Sequence, residues 1–236
     1  MKLIVEQLLN GLTIGSFYSL IALGYSMVYG VMKLINFAHG DFFTFGSYLG
    51  YTLLVMGTAF ATSTLGVWGG MIAAMLIAAI GSGTLGILVE RIAYRPIYPT
   101  GRLPAVVSAL GASIFIQNSI MVIWGARPHA YTSEVVPDYI MNIFGLRINL
   151  LQIIILVLSF FLMGVLYYVI QKTTFGAAIR ASALDRETAA LMGINIKLII
   201  FFIFALGPAL GGTAGVMVGI YYRKISFIMG WNYGLK

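Results

Sequence analysis

Apolar residues run along this chain in stretches that contain no Asp, Glu, Lys, Arg or His: 7–32, 42–89, 103–126, 148–171 and 198–222. A helix needs about 20 predominantly apolar residues to cross the hydrocarbon of a bilayer, and every stretch reaches that length. The second spans 42–89, too long for one crossing, and it divides where small and polar residues gather between Gly57-Thr58 and Gly69-Gly70. The pattern therefore predicts about six crossings. No stretch alternates apolar and polar residues as a membrane strand must, and backbone groups in lipid have to be satisfied within the segment, so the crossings are helices. The expected fold is all-α and polytopic, a single transmembrane domain over 1–236.

Composition agrees. The chain is 60% hydrophobic and 9% charged, against about a quarter charged in soluble domains, and no soluble fold could hide that much apolar surface. A net charge of +7 would suggest nucleic acid in a soluble protein. Here the basic residues sit in short inter-helix loops, the ordinary bias of cytoplasmic loops, so the bilayer is the expected partner and nucleic acid is not. With no cysteine, disulfides and thiolate metal sites are excluded. After Lys2 and Glu6 the apolar run to Met32 is too long for a cleavable signal and is retained as the first helix.

Charges in the loops set an orientation. Segment 90–102 carries Arg91, Arg95 and Arg102 against Glu90, and 172–197 carries Lys172, Arg180, Arg186 and Lys197 against Asp185 and Glu187; both should be cytoplasmic. The loop 127–147 is balanced and the connection 57–66 is uncharged, which puts both outside, with the N-terminus. Lys2 and Arg223-Lys224 count against this assignment. Tyr94, Tyr98, Trp124, Tyr131, Tyr167, Tyr168 and Tyr222 fall near helix ends, as rings at headgroup level do.

Three segments could carry function. The first is Leu34-Ile35-Asn36-Phe37-Ala38-His39-Gly40-Asp41-Phe42, between the first two crossings. It reads either as a tight turn, with Asn36 and Asp41 accepting from free backbone N–H groups and Asp41 capping the next helix, or as a broken helix inside the membrane. Irregular backbone survives at that depth only when buried in protein or lining a water-filled path, and helix ends there offer dipoles to a zwitterionic solute. The second is Thr173 to Asn195. Ser182 and Asp185 have capping-box spacing, Asp185 could cap a short helix, Gly193 could stop it, and Asn195 could cap the next crossing. Its small side chains would permit close approach to another protein; otherwise it is a solvated connector. The third is the four-residue recurrence Gly207, Gly211, Gly215 and Gly219, a flat strip suited to tight helix packing.

Some chemistry is missing. There is no G-x-x-x-x-G-K-[ST] phosphate loop, and no H-E-x-x-H accompanies His39 and His129. The helix interiors lack the charged residues that ion-coupled carriers use. An enzyme or a self-powered pump is not expected, nor are catalytic residues, a cofactor or a metal.

The run Val31-Met32-Lys33-Leu34-Ile35-Asn36-Phe37-Ala38-His39-Gly40-Asp41-Phe42, followed by Gly46-Ser47-Tyr48, resembles the signature of LivH-type permeases, the membrane subunits of branched-chain amino-acid ABC importers. A second match runs from Gly176-Ala177-Ala178-Ile179-Arg180-Ala181 through Asp185 to Ala189 and Leu191-Met192-Gly193-Ile194-Asn195, similar to that family's coupling loop. The glycine-rich helix is a third. The resemblance implies a multi-pass protein of a bacterial or archaeal plasma membrane. Its partners would be a LivM-like second permease subunit, two cytoplasmic ATP-binding subunits that supply the ATP hydrolysis, and a periplasmic solute-binding protein. It implies that Asn36, Phe37, His39 and Asp41 line the translocation path or its gate. Gly176, Arg180, Ala181, Asp185, Ala189 and Gly193 would form the ATPase coupling segment, with Ala181 and Ala189 at the contact. Family members continue past Gly234 with about two more crossings, so the chain is expected to be C-terminally short by helices of about 20 residues each. Two alternatives stay open: a permease for urea or short amides, and a facilitative channel with a re-entrant loop at 36–41.

Overall fold

The computed structural model describes residues 2–56, 66–98, 101–132, 135–136, 139–143 and 146–234. Most of the expected external connection 57–66, together with Ser133, Glu134 and Asp138, lies outside the described residues. Nine α-helices are described: α1 (Lys2–Met32), α2 (His39–Met56), α3 (Gly66–Val89), α4 (Arg102–Trp124), α5 (Leu150–Lys172), α6 (Thr174–Leu184), α7 (Arg186–Leu191), α8 (Ile196–Tyr222) and α9 (Met229–Gly234). A π-turn, Glu90–Tyr94, extends α3. Two small antiparallel ribbons pair β1 (His129–Ala130) with β4 (Lys224–Ile225) and β2 (Ile140–Ile143) with β3 (Leu146–Asn149).

Among the described residues, five helices are long and apolar enough to cross a membrane: α1, α3 with its π-turn, α4, α5 and α8. The remaining expected crossing is α2, which differs from them in kind. It is 18 residues long, carries His39 and Asp41 in its first turn, and is buried along most of its length. Its neighbours α3, α4, α8 and α9 shield it, and α8 packs against α1, α2 and α3. That arrangement explains how a weakly apolar helix is tolerated: protein, rather than lipid, is its solvent.

Close packing depends on missing side chains. A Cβ on Gly207 would stand 2.8 Å from the Gly24 carbonyl of α1, and one on Gly215 would overlap the Phe43 carbonyl of α2. Gly211 faces the His39 ring, and Gly219 faces Ile225 and Tyr131. Gly212, off the four-residue recurrence, meets Gly46 of α2 and Ser82 of α3. By contrast α4 and α5 lie at the periphery, α4 against α2 and the π-turn, α5 along α1.

Contacts sort the loops into two ends. Met32–Leu34, Tyr98, Gly101 and Ser182–Glu187 share one cavity. At the other end β1 pairs with β4, and Gln152 on α5 donates to Asn10 on α1 at 2.6 Å. Arg223 and Lys224, the basic pair that counts against the orientation, are built into this second end. Arg223 caps α8 in the left-handed conformation and donates to the Val136 carbonyl at 2.8 Å, while Lys224 pairs with Ala130.

Candidate functional site

Helix α1 stops at Met32 because Lys33 adopts a left-handed conformation, φ 54°, and turns the chain back. The chain beyond Lys33 does not run out into solvent. His39 Nε2 lies 3.2 Å from the Ile21 carbonyl, and Ile21 is 11 residues before Met32, so α2 begins about 16 Å along α1 from its end. Residues 33–38 thus form a re-entrant segment whose Asn36 and Ala38 are buried in the bundle while Lys33 and Ile35 stay exposed.

The polar groups on this segment are almost wholly enclosed: Asn36 is 2% exposed, His39 1% and Asp41 4%. Asn36 Oδ1 accepts from the Ala38 N–H at 3.1 Å and from the Tyr94 hydroxyl at 2.9 Å. Both donors fix the amide and leave Nδ2 buried without a partner among the described residues. A carbonyl can only accept, so His39 Nε2 carries the proton toward Ile21, and Nδ1 is left as a buried acceptor that is likewise unpartnered. Asp41 is not the cap that its place in the sequence predicts. The helix starts two residues earlier, and Oδ2 of Asp41 instead accepts from the Ser113 hydroxyl of α4 at 2.5 Å. Phe37 is half-buried against the core. Gly40 has no room for a Cβ because the Gly230 carbonyl of α9 overlaps that position.

Sequence reasoning misses Tyr94 and Ser113 as site residues. Tyr94 has the sequence context of a headgroup-belt residue, yet it is among the most deeply buried side chains and stacks near Phe204. The π-turn aims it inward, and nothing in the residue pattern announces such a turn. Tyr131 is also buried, whereas Tyr167 and Tyr168 are exposed as belt residues would be.

At the same end of the bundle as the re-entrant segment, α6 and α7 form a compact elbow. Thr173 caps α6 through the Gly176 N–H at 3.0 Å. Asp185 caps α7, accepting from the N–H groups of Glu187 at 2.9 Å and Thr188 at 3.3 Å and from the Thr188 hydroxyl. These bonds hold its carboxyl below the usual carboxylate range. Gly193, φ 87°, ends the elbow, and Asn195 caps α8. Ser182 is not a cap. It is interior to α6 and donates to the Ala178 carbonyl at 2.8 Å. Arg180 donates to the Ile170 carbonyl at the end of α5.

The outward surface of the elbow differs from the expected small-residue face. Ala189 is only 4% exposed and packs inward, and Gly176 is held against the carbonyls of Val169 and Ile170. The large apolar side chains are the ones outside: Leu184 is 89% exposed, Leu191 87% and Met192 80%. Between the elbow and the start of the re-entrant segment is a cavity of about 370 Å³ lined by Val31–Leu34, Tyr98, Gly101 and Ser182–Glu187. It reaches Leu34 and stops short of Asn36. Among the described residues no three His, Asp or Glu side chains gather into a metal site.

Residues 7–236 match the family model described as branched-chain amino acid transport system / permease component. The chain is 38% identical to the high-affinity branched-chain amino acid transport system permease protein LivH of Salmonella typhimurium over 98% of its own length and 76% of that protein's. It is 37% identical to LivH of Escherichia coli over the same shares. To the corresponding permease BraD of Pseudomonas aeruginosa it is 36% identical, again over 98% of this chain and 76% of the relative. No solved structure matches. Relatives of this kind, together with the membrane-length helices, make the protein a multi-pass plasma-membrane transport component and not an enzyme. The chain belongs to the family of permease components of branched-chain amino acid transport systems.

Proposed function

We propose that the chain is the membrane subunit of an ATP-driven importer for branched-chain amino acids, forming part of the translocation path and coupled to a cytoplasmic ATPase through α6 and α7. The single observation that carries this reading is the trio Leu184, Leu191 and Met192, almost fully exposed on an elbow outside the membrane-length helices. Large apolar side chains left exposed outside the crossings suit a protein interface. A facilitative channel would have no use for one there. Both basic loops, 90–102 and 172–197, contribute to that end, which fits the cytoplasmic side. The complete assembly would hold a LivM-like second permease subunit, two ATP-binding subunits and a periplasmic solute-binding protein.

Asn36, Phe37, His39 and Asp41 serve as the gate of the path. Asn36 Nδ2 and His39 Nδ1, without partners among the described residues, favour a gate over a purely structural turn, because a segment kept closed for stability alone would satisfy its buried donors and acceptors. Movement of residues 33–38 would bring these two atoms to a solute that carries both an acceptor carboxylate and a donor ammonium. The test is affinity purification of the natural permease from native membranes, with and without Leu191→Glu. An ATPase and a second permease should co-purify with the unmodified protein, and Leu191→Glu should release the ATPase while leaving membrane abundance unchanged. Undiminished ATPase recovery with Leu191→Glu would refute the docking surface.

A further inference from the structure

We infer that Arg186 is the positioning residue that carries movement of the docking elbow to the re-entrant segment before α2. The inference rests on the coupling reading above and names the side chain through which coupling passes. Arg186 opens α7, directly after the cap Asp185 and two residues from the exposed Leu184. Its Nε donates to the Val31 carbonyl at 2.6 Å, a bond spanning 155 residues of sequence.

The acceptor is well placed. Val31 lies in the last turn of α1, where the final carbonyls have no partner inside the helix. Two residues later Lys33 turns the chain back, so a pull on Val31 is delivered at the root of the segment that carries Asn36 and His39. Beside this bond, where α6 also packs on α1, lies the 370 Å³ cavity lined by both bodies. The cavity leaves them room to shift, and Arg186 spans it as a directional tie.

The chemistry suits a tie rather than an ion pair. The one salt bridge among the described residues joins Arg95 to Glu90, at 3.3 Å. The Arg186 guanidinium is half-buried, and burial pulls it below its ordinary value while neighbouring Tyr98 acts the other way. A charged donor on a neutral carbonyl is a strong hydrogen bond without a fixed counter-charge, and it can be made and broken as the elbow moves.

The experiment uses the natural permease assembled with its partner subunits in proteoliposomes. Arg186→Gln should keep the ATPase bound and keep basal ATP hydrolysis. Uptake and solute-stimulated hydrolysis per complex should both fall about tenfold, as expected when one charge-assisted hydrogen bond is lost from the coupled step. Arg186→Lys, which still offers a charged donor, should recover most of that loss. Stimulated hydrolysis equal to the unmodified complex in Arg186→Gln would overturn the inference, as would a fall in uptake that merely tracks a fall in assembled complex. Amide exchange on the unmodified complex gives an answer that needs no variant to fold: ATP binding should change protection in 33–38, and unchanged protection there would also overturn it. Failure of the ATPase to bind the unmodified permease at all would instead strike the docking reading itself.

Discussion

The two ends of α2 are held by different kinds of contact. At its start, buried polar groups meet single partners from other helices: Tyr94 on Asn36, Ile21 on His39, Ser113 on Asp41. Toward its other end rings predominate, beside one hydrogen bond from Trp124 Nε1 to the Thr52 hydroxyl at 2.8 Å. Tyr48 lies 5.4 Å from Trp124 and 5.8 Å from His129, and Tyr51 lies 5.1 Å from His129 and 5.3 Å from Tyr131, measured between centroids. The β1–β4 ribbon fastens His129 over this cluster. Ring packing is short-ranged, many-bodied and hard to undo one contact at a time. Isolated hydrogen bonds can be exchanged singly. On the proposed function, the hydrogen-bonded end is the one that would move and the aromatic end the one that would stay shut.

The greatest loss should come from the packing that both ends share. Gly215→Ala would drive a Cβ into the Phe43 carbonyl of α2, and overpacking of this sort costs about 1–3 kcal/mol or more. Membrane abundance measured by immunoblot should fall severalfold, and full abundance would mean that α2 and α8 are not as close as described. Next comes Ser113→Ala, which strips the buried Asp41 oxygen of its donor and should cost about 1–3 kcal/mol. Uptake should drop further than membrane abundance does, and proportional losses would reduce Asp41 to a structural role.

Two tyrosines put the contrast to a matched test. The Tyr94 hydroxyl is bonded to Asn36, whereas the Tyr48 hydroxyl is buried without a partner among the described residues. Tyr94→Phe should therefore lower thermal stability by about 1 kcal/mol, and Tyr48→Phe should be neutral or slightly stabilising. Equal losses would contradict the contrast between the two ends. Orientation can be read from single cysteines at Thr132 and Leu184, both exposed. An impermeant thiol reagent on intact cells should label the first and not the second.

The mildest change concerns pH. The Asp185 carboxyl is held below its ordinary value by its bonds to Thr188 and Glu187. A depressed folded-state value means that the cap stabilises α7 fully above the unfolded carboxylate range and is lost as pH falls through the folded value. Amide exchange at Glu187 and Thr188 should accelerate only below about pH 4, the unfolded range. Acceleration between pH 5 and 7 would exclude Asp185 as its cause.

Much of this is legible in the residue pattern, and what escapes it has common causes. The crossings, the break at 33–38, and the caps Asp185 and Asn195 follow from uncharged runs and short polar side chains, which are local signals. Asp41 reads as a cap because it precedes an apolar run, but its true partner is 72 residues away on α4, and no local rule sees that. Tyr94 resembles a belt residue for the same reason. Ala189 looks like surface because the elbow is polar around it, yet the small side chain is what lets α7 lie against the bundle. Leu191 and Met192 then carry the apolar surface outward. Pattern reading places elements well and fails where a side chain's meaning is set by a distant helix.

The π-turn at Glu90–Tyr94 bears on insertions and deletions. A π-turn holds one residue more than the helix around it, so it acts as a phase shifter. Deleting one residue between Glu90 and Ala93 would leave an ordinary helix with the later side chains nearly in phase, whereas winding all five residues as ordinary α-helix would swing every later side chain by about 100°. Tyr94 would then leave Asn36, although no residue in contact with Asn36 had been changed. The wide turn, and not only the residues in it, therefore holds Tyr94 on Asn36. In this stretch, backbone winding carries as much information as residue identity.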